Sequence, residues 1–369
     1  MKGIGKKVRF MISAIMVVCL GMAANCPASS ETLRMLVWEG DTPAERQKEF
    51  VKLVKEKYGV DLKLEISYVG GNDDFFPAVR DGKADIIGPG YIVPKDERFQ
   101  LIKHKLVLPV NTDNIPNCKN IISGLQNSEY WSEDGKIYGI PFDRGTYGLA
   151  YNTALIKNAP ETWNIFWDPK FKGKYALGKD QYEQNVYITA LAMGMSRNDL
   201  SDYRKLNTPE FQEKLAQLAV NAHSLWEGID NAEILKGLNI ATSWGTALPA
   251  LKEMGETWKI AKPQEGTVAW VEIFMIGYTL ESKPELKRIA EEWIDYTLTD
   301  EYQTYVVRGI GAMPVTATVR EKLTPEEVEQ FGLDDPAHFE KNCILLKPMQ
   351  KKDRDGFKRL WENALKQRK

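Results

Sequence analysis

Residues 137–152 constrain the fold of this chain more than any other stretch. They read Ile-Tyr-Gly-Ile-Pro-Phe-Asp-Arg-Gly-Thr-Tyr-Gly-Leu-Ala-Tyr-Asn. A short strand is predicted to end at Ile140, because Pro141 fixes one backbone angle and removes one hydrogen-bond donor. Gly145 and Gly148 permit backbone angles that other residues resist. The alternation over residues 146–152 then predicts a new strand. A strand, a break carrying charged residues and a second strand suit a crossing between two domains. At such a crossing Asp143 and Arg144 would face the cleft. An ordinary β-turn with a local ion pair fits the same residues, and both readings stay open here.

The chain has 369 residues, enough for two domains of roughly 100–200 residues each. Its first thirty residues stand apart. Lys2, Lys6, Lys7 and Arg9 form a basic head, residues 11–24 are almost wholly apolar, and small residues follow through Ser30. This is the three-part pattern of a secretory signal peptide. The apolar run is shorter than the roughly 20 residues a membrane span needs, and no later stretch is long and apolar enough. The mature chain is therefore expected to be soluble and exported to the periplasm. Cleavage after Ala23, Ala28 or Ser30 fits the small-residue rule. A lipid anchor at Cys26 is the lesser alternative, because Asn25 stands where a small residue is wanted. Losing four positive charges moves the formal net charge from -2 to -6. A mildly acidic surface argues against nucleic acid and weakly favours cationic ligands.

Cys118 and Cys343 remain after processing. An oxidising compartment permits a disulfide between them, and two buried free thiols are equally compatible with the sequence. His104, His223 and His338 share no metal-ligand spacing.

The order strand 33–38, helix from Thr42 and Pro43 to Gly59, strand 60–69, helix 73–80 and strand 84–88 predicts a parallel sheet with right-handed crossovers. In such sheets ligands sit beyond the carboxyl ends of the strands. Two ends are visible, Trp38-Glu39-Gly40-Asp41 and Gly88-Pro89-Gly90-Tyr91. Neither resembles a phosphate-binding glycine loop. A second lobe is predicted from strand 175–177, helices 183–193 and 209–224, strand 239–242 and helix 247–254. Residues 268–278 form a return crossing, and residues 309–314 a third break. The expected division is a signal peptide at 1–30, lobe I at 31–140 with 273–312, and lobe II at 141–272 with 313–369, the ligand cleft lying between the lobes.

These pieces resemble the bacterial extracellular solute-binding proteins of ABC transporters, and among them the spermidine/putrescine-binding group. The resemblance runs in order and spacing over about residues 33–314. The group carries an aromatic–acid pair after the first strand, and Trp38 and Glu39 stand there. It has a Pro–small–aromatic loop after the third strand, to which the loop ending in Tyr91 is similar with an offset. Asp180 and Glu183 match its acidic pair at the start of a second-lobe helix. Trp244 matches a tryptophan after a second-lobe strand. Trp270 and Glu272 match its Trp-x-acid on the return crossing, with Glu in place of Asp. Arg144 departs from the group, which often has an aromatic there. It could pair with Asp143 or Asp180, or bind a ligand carboxylate. The resemblance implies an α/β fold of two Rossmann-like lobes with a hinge, the type II periplasmic binding protein architecture. It implies a monomer without cofactor or metal that meets the membrane only through ABC permease subunits.

The residue types suit a polyamine such as putrescine or spermidine. Indole faces accommodate methylenes and attract cations by about 0.5–2 kcal/mol, and carboxylates give charge-assisted hydrogen bonds to ammonium groups. Singly, each tryptophan would serve as core filler and each acid as a helix cap; the joint pattern at four strand ends carries the assignment. One alternative is the same fold binding an amino acid or other zwitterion through Arg144. Another is a ligand-sensing partner of a membrane signalling receptor. Catalysis is not expected: no G-x-S-x-G, H-E-x-x-H or His–Cys grouping occurs, and hydrolysis needs a nucleophile with a placed base or a metal.

Overall fold

The computed structural model describes residues 30–126, 128–335 and 337–368. The expected signal peptide and Cys26 lie outside them. Two mixed sheets, each with its own apolar core, make up the α/β fold.

The first strand, Ser30–Val37, buries Leu33, Met35 and Val37 at alternate positions. It pairs in parallel with Asp61–Tyr68 on one side and with the short strand Ile86–Ile87 on the other. The helix Ala44–Tyr58 makes the crossover and buries Phe50 and Val54, one turn apart. Gly59 ends it in the left-handed conformation, its N–H reaching the Lys55 carbonyl. Its start differs from the expected threonine cap. Pro43 is the N-cap, and the Thr42 hydroxyl is buried without a partner.

The return strand Thr267–Gly277 inserts antiparallel beside Ile86–Ile87. Gly139–Thr146 pairs antiparallel on its other side, and Met313–Pro314 closes that edge. The expectation that Pro141 interrupts the chain is overturned. One strand runs from Gly139 to Thr146. The register slips where Asp143 faces Glu272 and Pro141 faces Ile273. This bulge absorbs the proline, and Met313–Pro314 pairs only with Arg144 and Asp143, so no ladder partner is asked of Pro141 on that side.

The second sheet runs in the order Ser224–Trp226, Tyr175–Gly178, Ile240–Ser243, Gly148–Asn152, Trp258–Ile260. Its core is covered by Tyr182–Ala192, Pro209–Asn221 and the C-terminal helix Lys351–Lys366. Phe142 belongs to the first core and Tyr147 to the second. The chain crosses again at Val268 and Ala269, and a third time at Cys343 and Ile344. Cys118 and Cys343 are both free thiols. Among the described residues no helix is long and apolar enough to cross a membrane.

Trp293, on the helix Pro284–Thr297, is fully buried behind this first sheet, edge-on to Phe50, Phe274 and Tyr302. Its indole N–H has no partner, so its contribution is packing. Trp293→Ala is expected to cost about 3–5 kcal/mol and Trp293→Phe clearly less, measured by urea denaturation followed by far-ultraviolet circular dichroism.

Candidate functional site

Asp143 and Glu272 face each other across the two central antiparallel strands. Gly40 turns the chain after the first strand at φ 101°, and Asp41 folds back so that its carboxylate accepts from the Trp38 N–H at 3.2 Å. The turn is held from outside: the Tyr305 hydroxyl donates to the Gly40 carbonyl at 2.7 Å, and the Tyr302 hydroxyl to that of Asp41. One carboxylate oxygen each from Asp41, Asp143 and Glu272 thereby lie within 4.8 Å of one another. Asp41 and Asp143 are buried, and Glu272 is half-buried.

No basic side chain among the described residues pairs with any of the three. Asp143 is 1% exposed, and its Oδ1 has no hydrogen-bond partner. Two unit charges about 4.8 Å apart repel by roughly 3–4 kcal/mol at an effective dielectric of about 20. Burial pushes all three carboxyls well above the usual carboxylate range; for Asp143 the nearby Asp41 adds to this, and for Glu272 both Asp143 and Asp41 do.

One tryptophan shares the sheet face of two of the carboxylates. Trp270 and Glu272 share one face of their strand, and Asp143 and Gly145 share the same face of the neighbouring one. Trp270 stands opposite Gly145, and its indole lies across the glycine so closely that a Cβ there would come within 2.4 Å of the ring. Trp38 packs edge-on to Phe75 at 5.9 Å. The indole N–H groups of Trp38 and Trp270 are both buried without partners. From the second core, Trp244 packs against Tyr147 at 4.8 Å. With Gly145, Thr146, Gly311 and Met313 it lines a cavity of about 30 Å³, room for a water or two.

The other residues singled out from the sequence are not members of this carboxylate group. Glu39 is exposed at the turn; Asp41, two residues on, joins the group instead. The signal for Asp41 was the glycine before it, which lets the chain reverse. The Tyr91 hydroxyl both donates to the Leu346 carbonyl and accepts from its N–H. The Asp180 carboxylate caps the Gly228 N–H at 2.9 Å. Glu183 accepts from the Tyr182 hydroxyl and lies 4.0 Å from Arg354; burial raises its pKa. Arg144, next to Asp143, projects from the opposite face. It donates to the Pro314 carbonyl at 3.0 Å and lies over the Phe339 ring. It has neither Asp143 nor Asp180 as an ion-pair partner. Burial lowers its pKa to about 10, which leaves it charged at neutral pH.

A hard metal ion wants about six to eight oxygens for calcium or a strict octahedron for magnesium. A primary ammonium wants three acceptors. With charge-assisted N···O distances of about 2.8 Å, a tetrahedral nitrogen would hold three oxygens about 4.6 Å apart. Three carboxylates beside an indole ring match the organic cation better.

A sequence model described as bacterial extracellular solute-binding protein matches residues 81–336. The putrescine/agmatine-binding protein of Pseudomonas aeruginosa is 23% identical over 219 residues, which are 54% of this chain and 58% of that protein. The chain thus spans little more than half the length of this curated relative. Among solved structures, the spermidine/putrescine ABC transporter substrate-binding protein PotD of Streptococcus pneumoniae superposes with a TM-score of 0.75. It is 18% identical, and the match covers 92% of this chain and 100% of that one. The TpPotD lipoprotein of Treponema pallidum superposes with a TM-score of 0.63 at 18% identity, covering 90% and 99%. The two mixed sheets with their helices have the type II periplasmic binding protein architecture, and the chain belongs to the bacterial extracellular solute-binding protein family.

Proposed function

We propose that this protein captures a small organic cation with a primary ammonium group, of the polyamine kind such as putrescine or spermidine, and presents it to the permease of an ABC importer. The observation that carries this reading is the group of Asp41, Asp143 and Glu272, which has no ion-pair partner among the described residues and has Trp270 on the same sheet face. An ammonium would bring three N–H donors and one positive charge to three acceptors. The indole face would cover the methylenes that follow it. The name of the Pseudomonas relative points to the same ligand class.

A zwitterion using Arg144 has less support, because that guanidinium lies on the opposite face of the strand from the carboxylates.

In a thermal-shift and calorimetric screen, putrescine and spermidine are expected to raise Tm and to bind, while N-permethylated analogues, which cannot donate three hydrogen bonds, are not. Glu272→Gln and Asp143→Asn are each expected to weaken putrescine binding at least tenfold, the loss of one charged hydrogen bond of about 1.5–3 kcal/mol. Unchanged affinity in both variants would remove the carboxylates from the site. Gly145→Ala is expected to weaken binding without altering charge, because its Cβ displaces the Trp270 indole; isothermal calorimetry reads it.

A further inference from the structure

The three carboxylates carry more negative charge than one ammonium can balance. All three ionised would place three charges within 4.8 Å, two of them on buried side chains, and like charges so close do not all ionise. A second feature marks the place as a receptor for hydrogen and charge: the Oδ1 of Asp143, on a side chain 1% exposed, has no partner.

Among the described residues the surroundings supply no counter-charge. Tyr302 and Tyr305, from the helix Asp300–Tyr305, give their hydroxyls to backbone carbonyls of the turn. Arg46, at the start of the helix Ala44–Tyr58, is engaged by Glu49 at 2.7 Å. On the strand Gly139–Thr146, Arg144 faces the other way. On the first strand, Arg34 is paired with Asp85. Across from Glu272, Gly90 offers only backbone. Glu39, on the turn, is exposed and adds a further negative charge.

We infer that the cup formed by Asp41, Asp143 and Glu272 holds at least one proton until it takes an amine, and releases about one proton when the ammonium arrives, so that ligand capture is coupled to pH. This rests on the amine reading above. The ammonium N–H groups replace carboxyl O–H groups as the hydrogens between these oxygens. The released proton passes to solvent on the side of half-buried Glu272. Capture that releases a proton strengthens as pH rises and weakens in acid, by about tenfold per pH unit for one proton. The free protein shows the converse. Carboxyls whose pKa is raised on folding contribute stability in acid that is lost as pH rises above the usual carboxylate range toward their folded pKa.

The test is titration calorimetry of putrescine into the full mature chain between pH 5 and 8, in buffers of different ionisation enthalpy. Release of about one proton per ligand is expected, with affinity falling toward pH 5. In Asp143→Asn, proton release is expected to drop by at least half. Its ligand-free Tm, less penalised by repulsion, is expected to exceed that of the parent at pH 8 more than at pH 5. Putrescine binding that releases no proton and is unchanged from pH 5 to 8 would overturn the coupling and leave the amine reading standing. Absence of putrescine and spermidine binding at every pH would overturn both.

Discussion

Mutual repulsion among Asp41, Asp143 and Glu272 is the interaction around which the rest of the first core is arranged. Nothing local favours three carboxylates within 4.8 Å, and like charges opposite each other on paired strands are destabilising. They stay together because each sits on an element fixed for other reasons. The two central strands are locked by stacked Phe142 and Phe274, whose ring centroids are 4.1 Å apart, and by fully buried Ile273 and Val271. Buried Gln303 donates to the Phe142 carbonyl and accepts from the Val315 N–H, tying the helix behind the sheet to its edge. The tyrosine hydroxyls pin the turn that carries Asp41. Apolar packing thus supports a charge arrangement that opposes folding, the usual signature of a site kept for binding.

The strand Gly139–Thr146 keeps that arrangement uncompensated. Asp143 and Arg144 are neighbours in sequence, and together they would neutralise each other. Strand geometry sends them to opposite faces. Arg144 is left with a carbonyl, the Met313 sulfur and the Phe339 ring, which hold a guanidinium without satisfying an acid. The carboxylate face is therefore left without a counter-charge among the described residues. Gly145 completes that face by letting Trp270 lie flat across the strand.

Much of the frame was legible from pattern. The crossover helix after Trp38, its stop at Gly59, the second-lobe strands at 175–177 and 239–242 and the return strand through Glu272 follow from hydrophobic spacing and glycine or proline punctuation, whereas spacing reads the start of the strand Ser224–Trp226 as the end of a helix. The passage at Pro141 was not, because a one-residue bulge in its own strand, at Phe142, accommodates a proline that would break an ideal ladder. Tyr91 and Asp180 had the right chemistry for a ligand, but the Tyr91 hydroxyl is taken by the backbone of Leu346, and one Asp180 carboxylate oxygen accepts from the Gly228 N–H. Those partners lie 255 and 48 residues away along the chain, beyond any local pattern.

The sequence by itself determined an α/β chain of two sheets, with tryptophans and acids placed at strand ends and Glu272 on the return crossing. Spacing and side-chain chemistry are local quantities, and they suffice for that. Only the tertiary structure decided that Asp41 and Asp143 stand beside Glu272, and that Arg144 turns away. Those outcomes depend on the register of antiparallel strands more than 100 residues apart and on a one-residue bulge. A shift of one position would send every side chain to the other face.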